Sequence, residues 1–388
     1  VTAASAPWPL RLRERAPSLL LQLLVAVIAV VGFWAIYRNT VTNLGRMGVE
    51  PGFGFLLEES GFDISQKALA YSPSSSYLAA IAVAFVNTLL VAAAGIALST
   101  IIGLVVALSR FSSNPLLSAI ARLYVETFRN VPLLLQIFVW YFGILSTLPP
   151  VRSSVSVGGV YFTNRGLFLP APALTATGWV LVALIPMVLI GTVVLRRRLV
   201  DAPPRTRHAL VGGAAVLILV LLALLASGGP FGAWTAPVLR GFMFHGGSNL
   251  RPEFIAMVMG LSIYNGAFMA EIFRSGLLSI PKGQYEAAAT VGLTSGQANA
   301  LIIIPQALRV AIPPAVSQYQ NLIKASSLSA AIGYPDIMQV LGGTILAQAP
   351  HPLQVMIIVM ALYLVITLFV SLMLNIYNAY VMRHGGAA

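Results

Sequence analysis

Glu286-Ala287-Ala288-Ala289-Thr290-Val291-Gly292, followed after nine residues by Ile302-Ile303-Ile304-Pro305, is a polar stretch set between two strongly apolar runs. Pro281 and Gly283 interrupt the helix expected before it, and Gly292 interrupts it again, so Glu286 to Val291 predicts about two turns of helix. Ala287, Ala288 and Ala289 are the best helix formers and leave a thin surface against which a partner can pack close to the backbone. Glu286 lies near the helix N-terminus, where the dipole favours an anion. Thr294-Ser295-Gly296-Gln297 fits a capping box for a second short helix. A short polar helix pair between two apolar runs predicts a structured loop between membrane spans.

Composition agrees. Hydrophobic residues make up 58% of the 388, charged residues 9%, and the mean hydropathy is +0.87. A soluble domain carries roughly 25% charged residues. The apolar runs are long and continuous rather than alternating, which predicts helices and not a barrel. The expected fold is all-α, a polytopic membrane bundle of about eight helices near 18–37, 80–108, 130–148, 173–195, 208–228, 254–275, 311–333 and 353–378. The first run follows Arg11, Arg13 and Arg15, is about twenty residues long and lacks a following A-x-A site, so it is expected to be retained. The chain has no cysteine, which excludes disulfides and thiolate chemistry. Its net charge of +12 reads as a membrane orientation signal, not a nucleic-acid one. With the N-terminus inside, cytoplasmic segments hold fifteen basic residues and outer segments seven. This bias predicts both termini and the 286–305 loop on the cytoplasmic side. The chain is then organised as 1–79, a first helix and outer segment; 80–148, the first part of a core; 149–253, an inserted helix pair with loops; and 254–388, the rest of the core with the loop. Gly52-Phe53-Gly54-Phe55-Leu56-Leu57, in the outer segment, is expected along the membrane surface.

Several polar constellations interrupt the apolar runs. Ser317, Gln318, Gln320, Asn321, Lys324 and Ser327 follow Pro313-Pro314, which are expected to break or restart a helix. Ser317, Asn321, Lys324 and Ser327 recur at helical spacing and share one face. Lys324 falls about 15 Å of helix beyond Pro314, near the bilayer midplane, where a lysine is costly unless paired or hydrated. It serves either a translocation path, facing the interior of the bundle, or packing through a carbonyl or carboxylate. Glu271 and Arg274 (i, i+3) and Arg122, Glu126 and Arg129 (i, i+4, i+7) read as structural ion pairs. Asn87-Thr88 reads either as interhelical glue or as part of a pathway. No Gly-Lys dipeptide occurs, so the chain has no P-loop. His208, His245, His351 and His384 have no metal-ligand spacing, and no nucleophile motif is present. Nothing points to a catalytic site or metal centre.

Together these motifs resemble the polar amino-acid permeases of ABC importers. The 286–305 pattern resembles their EAA loop, with Ile304 in place of the usual Leu. The resemblance extends over Asn87-Thr88, Tyr124-Val125-Glu126-x-Phe128-Arg129-x-x-Pro132-Leu133-Leu134-x-Gln136, Glu271-Ile272-x-Arg274, Gly283-Gln284-x-Glu286-Ala287 and Lys324-x-Ser326-Ser327-Leu328. The 173–228 insertion, the Gly52–Leu57 segment and Ala331-Ile332-Gly333-Tyr334-Pro335-Asp336 look most like the general L-amino-acid subgroup. Ala325 stands where many relatives place an Asp, which argues against a site dedicated to cationic amino acids. The resemblance implies the type I importer permease fold in a bacterial inner membrane. It implies a second homologous permease, two ATP-binding subunits and a periplasmic amino-acid-binding protein as partners. It implies ATPase coupling through Glu286, Ala287, Ala288, Gly292 and Pro305, and a substrate path at Asn87, Ser317, Asn321, Lys324 and Ser327. ATP and Mg would be bound by the partner ATPase, with no cofactor in this chain. An ion-coupled secondary transporter or channel is the alternative; it would show paired broken helices in repeats and no ATPase dock. A membrane enzyme would need the missing catalytic constellation.

Overall fold

Apolar runs without internal breaks form long helices because every backbone polar group must be satisfied within the segment when lipid surrounds it. The computed structural model describes residues 8–46, 52–174, 231–349 and 351–383, with scattered positions between 212 and 220. The helices are α1 (Trp8–Arg46), α2 (Tyr77–Ser109), α3 (Pro115–Asn130), α4 (Leu133–Phe138), α5 (Pro252–Leu278), α6 (Lys282–Thr290), α7 (Ser295–Ala298), α8 (Ile304–Ala325), α9 (Leu346–Gln348) and α10 (Pro352–Arg383). Among the described residues, five helical runs are long and apolar enough to cross a membrane: Leu21–Asn43, Tyr77–Ser109, Pro252–Leu278, Ser295–Ala331 and Pro352–Leu372. The helical bundle is as expected. The pair at 173–195 and 208–228 lies almost wholly outside the described residues.

The expected third span, 130–148, is replaced by a bent pair. α3 and α4, the latter continuing as a π-helix over Val139–Leu145, meet at 106°. Proline drives the bend: the residue before it is pushed out of the helical region, and Val131 is extended at φ −83°, ψ 127°. Buried Gln136 fixes the corner by donating to the carbonyls of Phe128 and Val131, both at 3.0 Å.

The chain divides into two compact units, each discontinuous in sequence. In the unit formed by Val1–Asn87 and Pro335–Phe369, the 52–76 segment folds onto the start of α2. Phe55, buried, stacks on His351 at 4.6 Å and meets Tyr77 edge-on, while Phe53 and Leu57 stay exposed. The Tyr71 hydroxyl lies 2.6 Å from Ser60 Oγ and donates to the Phe62 carbonyl, and burial raises its pKa. Asn87, fully buried, donates to the carbonyls of Gln66 (2.8 Å) and Pro335 (2.9 Å). Asp336, also fully buried, accepts from the Gln339 backbone and the Tyr363 hydroxyl.

The second unit, Thr88–Tyr334 with Val370–Ala388, is built around α5. Its buried positions include Ala256, Gly260, Gly266, Ala267, Ala270 and Gly276, small residues that let backbones approach closely. At Gly276 a Cβ would lie 2.8 Å from the Ala307 carbonyl oxygen of α8. Pro313 and Pro314 were expected to break this helix; α8 instead runs through both. Ala307, Ala311, Ala315, Leu322 and Ile323 are buried on either side of the prolines, and this packing compensates the lost helical hydrogen bonds.

The 149–253 segment adds short strands that hydropathy did not foretell. β1 (Val155–Val157), β2 (Val160–Thr163), β3 (Gly166–Leu169) and β8 (Ser248–Leu250) form an antiparallel sheet in that order. β4 (Ala171–Leu174) pairs with β5 (Phe231–Thr235), and β6 (Val238–Arg240) with β7 (Met243–His245). Gly158 and Gly159, both at positive φ, turn β1 into β2. Val151, Phe168 and Phe244 form a small core with Tyr161 against it.

Gly276→Val is expected to force α5 from α8 and destabilise the protein by about 1–3 kcal/mol. Gly283→Ala, in open space on helical α6, is expected to be neutral or stabilising. Thermal unfolding of both variants in detergent compares them.

Candidate coupling loop and polar helix face

The loop is two short helices joined by a defined cap. α6 ends in a Schellman motif: the Leu293 amide bonds the Ala288 carbonyl at 3.1 Å and the Gly292 amide bonds Ala289 at 3.0 Å. Gly292 holds φ +80°, a conformation that costs other residues about 1–2 kcal/mol. The capping box expected at α7 is present, with Thr294 Oγ1 accepting from the Gln297 amide and Gln297 Oε1 accepting from the Thr294 amide.

These caps set which residues point outward. Ala288 is 1% exposed and anchors α6, whereas Ala287, Ala289 and Glu286 are exposed. Tyr285 and Val291 (73% exposed) in the loop, and Leu301 and Ile304 on the helix that follows, are apolar and exposed. Pro305 follows the π-helical turn Asn299–Ile303 at the start of α8, inside the continuous helical run Ser295–Ala331. The loop is tied to the long helices beneath it. Ile280, Ile303 and Ala307 form a buried cluster with Leu277 and Ile302 against it, and Gln306 donates to Gln284 at 3.1 Å. The loop is thereby held against the end of α5 and the start of α8.

The polar stripe of α8 lies on the face opposite its packing. Val310, Pro314, Ser317, Asn321 and Lys324 are all exposed, at spacings of three to four residues, and Pro313 is exposed beside them. Lys324 was expected inside the bundle; within this chain it faces outward, because the opposite stripe of alanines and Leu322 fits against α5. Ser327 is half-buried and turns its hydroxyl back to the Lys324 carbonyl at 2.8 Å, so it contributes little to that surface. Asn87 belongs to the other compact unit, where its two carbonyl partners make it a brace.

The ion pairs differ from expectation in two ways. Glu271 does pair with Arg274, at 3.1 Å, but its other oxygen is bonded by Arg110 from the loop after α2. Arg110 is one of the fifteen basic residues counted above for orientation, and nothing in the sequence brings positions 110 and 271 together. Among the described residues, no ion pair joins Arg122, Glu126 and Arg129. All three are exposed, where such a pair is worth about 0.3–0.5 kcal/mol, and Arg129 instead lies over the Phe268 ring at 5.0 Å. Sequence reading also missed three ties made by α5 and α8. Gln318 donates to Asn265 Oδ1 (2.6 Å), the Tyr124 hydroxyl donates to the Ile263 carbonyl (2.6 Å), and the hydroxyls of Thr100 and Tyr319 bond at 2.8 Å.

Arg110 has 14% of its side chain exposed and Arg274 has 32%, so burial ranks them. Glu271→Gln is expected to destabilise the protein by roughly 1–3 kcal/mol, and Arg110→Gln more than Arg274→Gln. Unfolding temperatures of the three variants in detergent check the order.

The sequence profile of the family described as binding-protein-dependent transport system inner membrane component matches residues 99–383. A putative amino-acid ABC transporter permease protein of Escherichia coli (strain K12) is 42% identical over 363 residues, covering 92% of either chain. A general L-amino acid transport system permease protein of Rhizobium johnstonii is 41% identical, covering 93% of this chain and 91% of its own. A glutamate/glutamine/aspartate/asparagine transport system permease protein of Rhodobacter capsulatus is 33% identical, covering 93% and 92%. The chain therefore belongs to the family of binding-protein-dependent transport system inner membrane components, multi-pass membrane proteins that are transport subunits rather than enzymes.

Proposed function

We propose that this chain is the permease subunit of an ATP-driven importer for L-amino acids of broad specificity. It pairs with a second, similar permease, two ATP-binding subunits and an amino-acid-binding protein. The 286–305 loop and both termini face the cytoplasm, in keeping with the distribution of Lys and Arg. The observation that carries the reading is the capped α6–α7 loop, which carries exposed apolar residues and is tied through Ile280, Ile303 and Ala307 to α5 and α8. The names of the relatives from E. coli, Rhizobium and Rhodobacter support an amino-acid substrate.

In this mechanism the ATPase subunits bind ATP with Mg and carry the phosphoryl chemistry; this chain supplies the lever and the path. Each α6 sits in a groove of an ATPase, with thin Ala287 and Ala289 allowing close approach. Closure of the ATPases pushes α6, and the packed α5–α8 pair follows as one body. The exposed face of α8 is covered by the second permease, so Ser317, Asn321 and Lys324 line the passage between the two chains. A fixed cation in a low-dielectric passage stabilises the carboxylate that all amino acids share, which fits broad selectivity.

Reconstituted proteoliposomes test both parts. Gly292→Val strains the Schellman turn and Glu286→Lys reverses the charge on the exposed face in the middle of α6, so both are expected to cut uptake about tenfold or more per ATP hydrolysed. Lys324→Met is expected to leave binding-protein-stimulated ATP hydrolysis intact while uptake of neutral and acidic amino acids falls alike. Wild-type uptake by Gly292→Val and Glu286→Lys would refute the loop assignment, and wild-type uptake by Lys324→Met would refute the path.

A further inference from the structure

The strand module between α4 and α5 adjoins the N-terminal end of α5, whereas the coupling loop adjoins its C-terminal end, about 40 Å away along a 27-residue helix. Its described residues carry one sign of charge. Arg152, Arg165, Arg240 and Arg251 lie within it, and no described residue between Glu126 and Glu253 is acidic. Arg152, Arg165 and Arg240 are exposed. They gather around the β6–β7 hairpin: the Arg152 guanidinium lies 4.0 Å from the Phe242 ring centre, and Arg165 donates to Met243 Sδ at 2.8 Å. Phe242, at the turn, is 69% exposed, and Val238, Leu239 and Met243 are exposed beside it.

From this placement we propose that the Arg152–Phe242–Arg165–Met243 cluster is a docking surface for an acidic face of the substrate-binding protein. The inference rests on the importer reading above. Arginine, phenylalanine and methionine are the residues enriched at the centres of protein interfaces, and this cluster contains no lysine. A second copy of the same face is disfavoured, because symmetric contact would oppose Arg152, Arg165 and Arg240 to themselves. Hydrocarbon is disfavoured as well. Among the described residues β6 and β7 pair only with each other, so each leaves a strand edge of backbone donors and acceptors that lipid tails cannot satisfy. A protein surface satisfies those edges, and acidic side chains on it pair with the arginines.

The assembled transporter is placed in nanodiscs of neutral lipid, and ATP hydrolysis is titrated with the amino-acid-binding protein that stimulates it. Arg152→Glu with Arg240→Glu is expected to raise the half-saturating concentration about tenfold or more, with unstimulated hydrolysis unchanged. Phe242→Ala should raise it in the same way without changing charge. The wild-type value should rise with salt, and that of the double variant should rise less. An unaltered half-saturating concentration in all variants overturns the proposal. So does a result in which the variants lose only adsorption to phosphatidylglycerol vesicles, which would make the module a lipid contact. Failure of the binding protein to stimulate the wild-type transporter would instead count against the importer reading, so the two failures are distinguishable.

Discussion

The close approach of α5 and α8 is the constraint on which the functional geometry depends. Between lipid-facing helices there is no hydrophobic driving force, so association relies on tight van der Waals contact and interhelical hydrogen bonds. Gly276 lets α5 meet the backbone of α8 at Ala307, and the Asn265–Gln318 bond clamps the pair further along. Each such bond contributes only about 0.6 kcal/mol on average, so shape fit at the small residues does most of the holding. The same contact decides which face of α8 is left over. Because the alanine stripe turns inward, the Ser317–Asn321–Lys324 stripe must turn outward.

This arrangement links the two ends of the structure. The Ile280–Ile303–Ala307 cluster joins the coupling loop to the α5–α8 pair, so the loop has no soft connection to the helices it would move. The cap geometry of α6 makes it a stiff element, and the positive φ of Gly292 reverses the chain at once into α7. The Arg110–Glu271–Arg274 cluster stitches the loop following α2 to α5. Under the proposed mechanism, displacement of α6 would move a body that includes the polar face of α8.

Local rules made much of this legible. Helix capping is decided within a few residues, so the α6 stop at Gly292 and the Thr294–Gln297 box could be read directly. Pro132 fell inside the expected 130–148 span, and the 106° bend there depends on Gln136 reaching back to two carbonyls. What could not be read was decided by distant partners. Arg110 meets Glu271 across 161 positions, and Arg129 chooses the ring of Phe268 over Glu126. Pro313 and Pro314 looked like a break because their effect on an isolated helix is large; packing against α5 overrides it. Lys324 could be placed on a helical face by spacing, but only the buried alanines of α8 show that this face points away from the chain's own core. The strands escaped notice for a different reason. Segments of three to five residues have no hydropathy signature, although the Gly158-Gly159 pair between Val157 and Val160 is a hairpin signal in itself.

The central claim is that the α6–α7 loop is the surface an ATPase grips. The cysteine-free chain allows a direct measurement: single cysteines at Val291, Ala288 and Phe242, with a short thiol cross-linker applied to the assembled transporter. The account predicts that Val291→Cys links to the ATP-binding subunit, in a yield that changes when ATP is bound. It predicts that Ala288→Cys, shielded at the base of α6, and Phe242→Cys, at the opposite end of α5, do not. Cross-linking of the ATPase to position 242, or its absence from position 291 in an assembled and active complex, would contradict it.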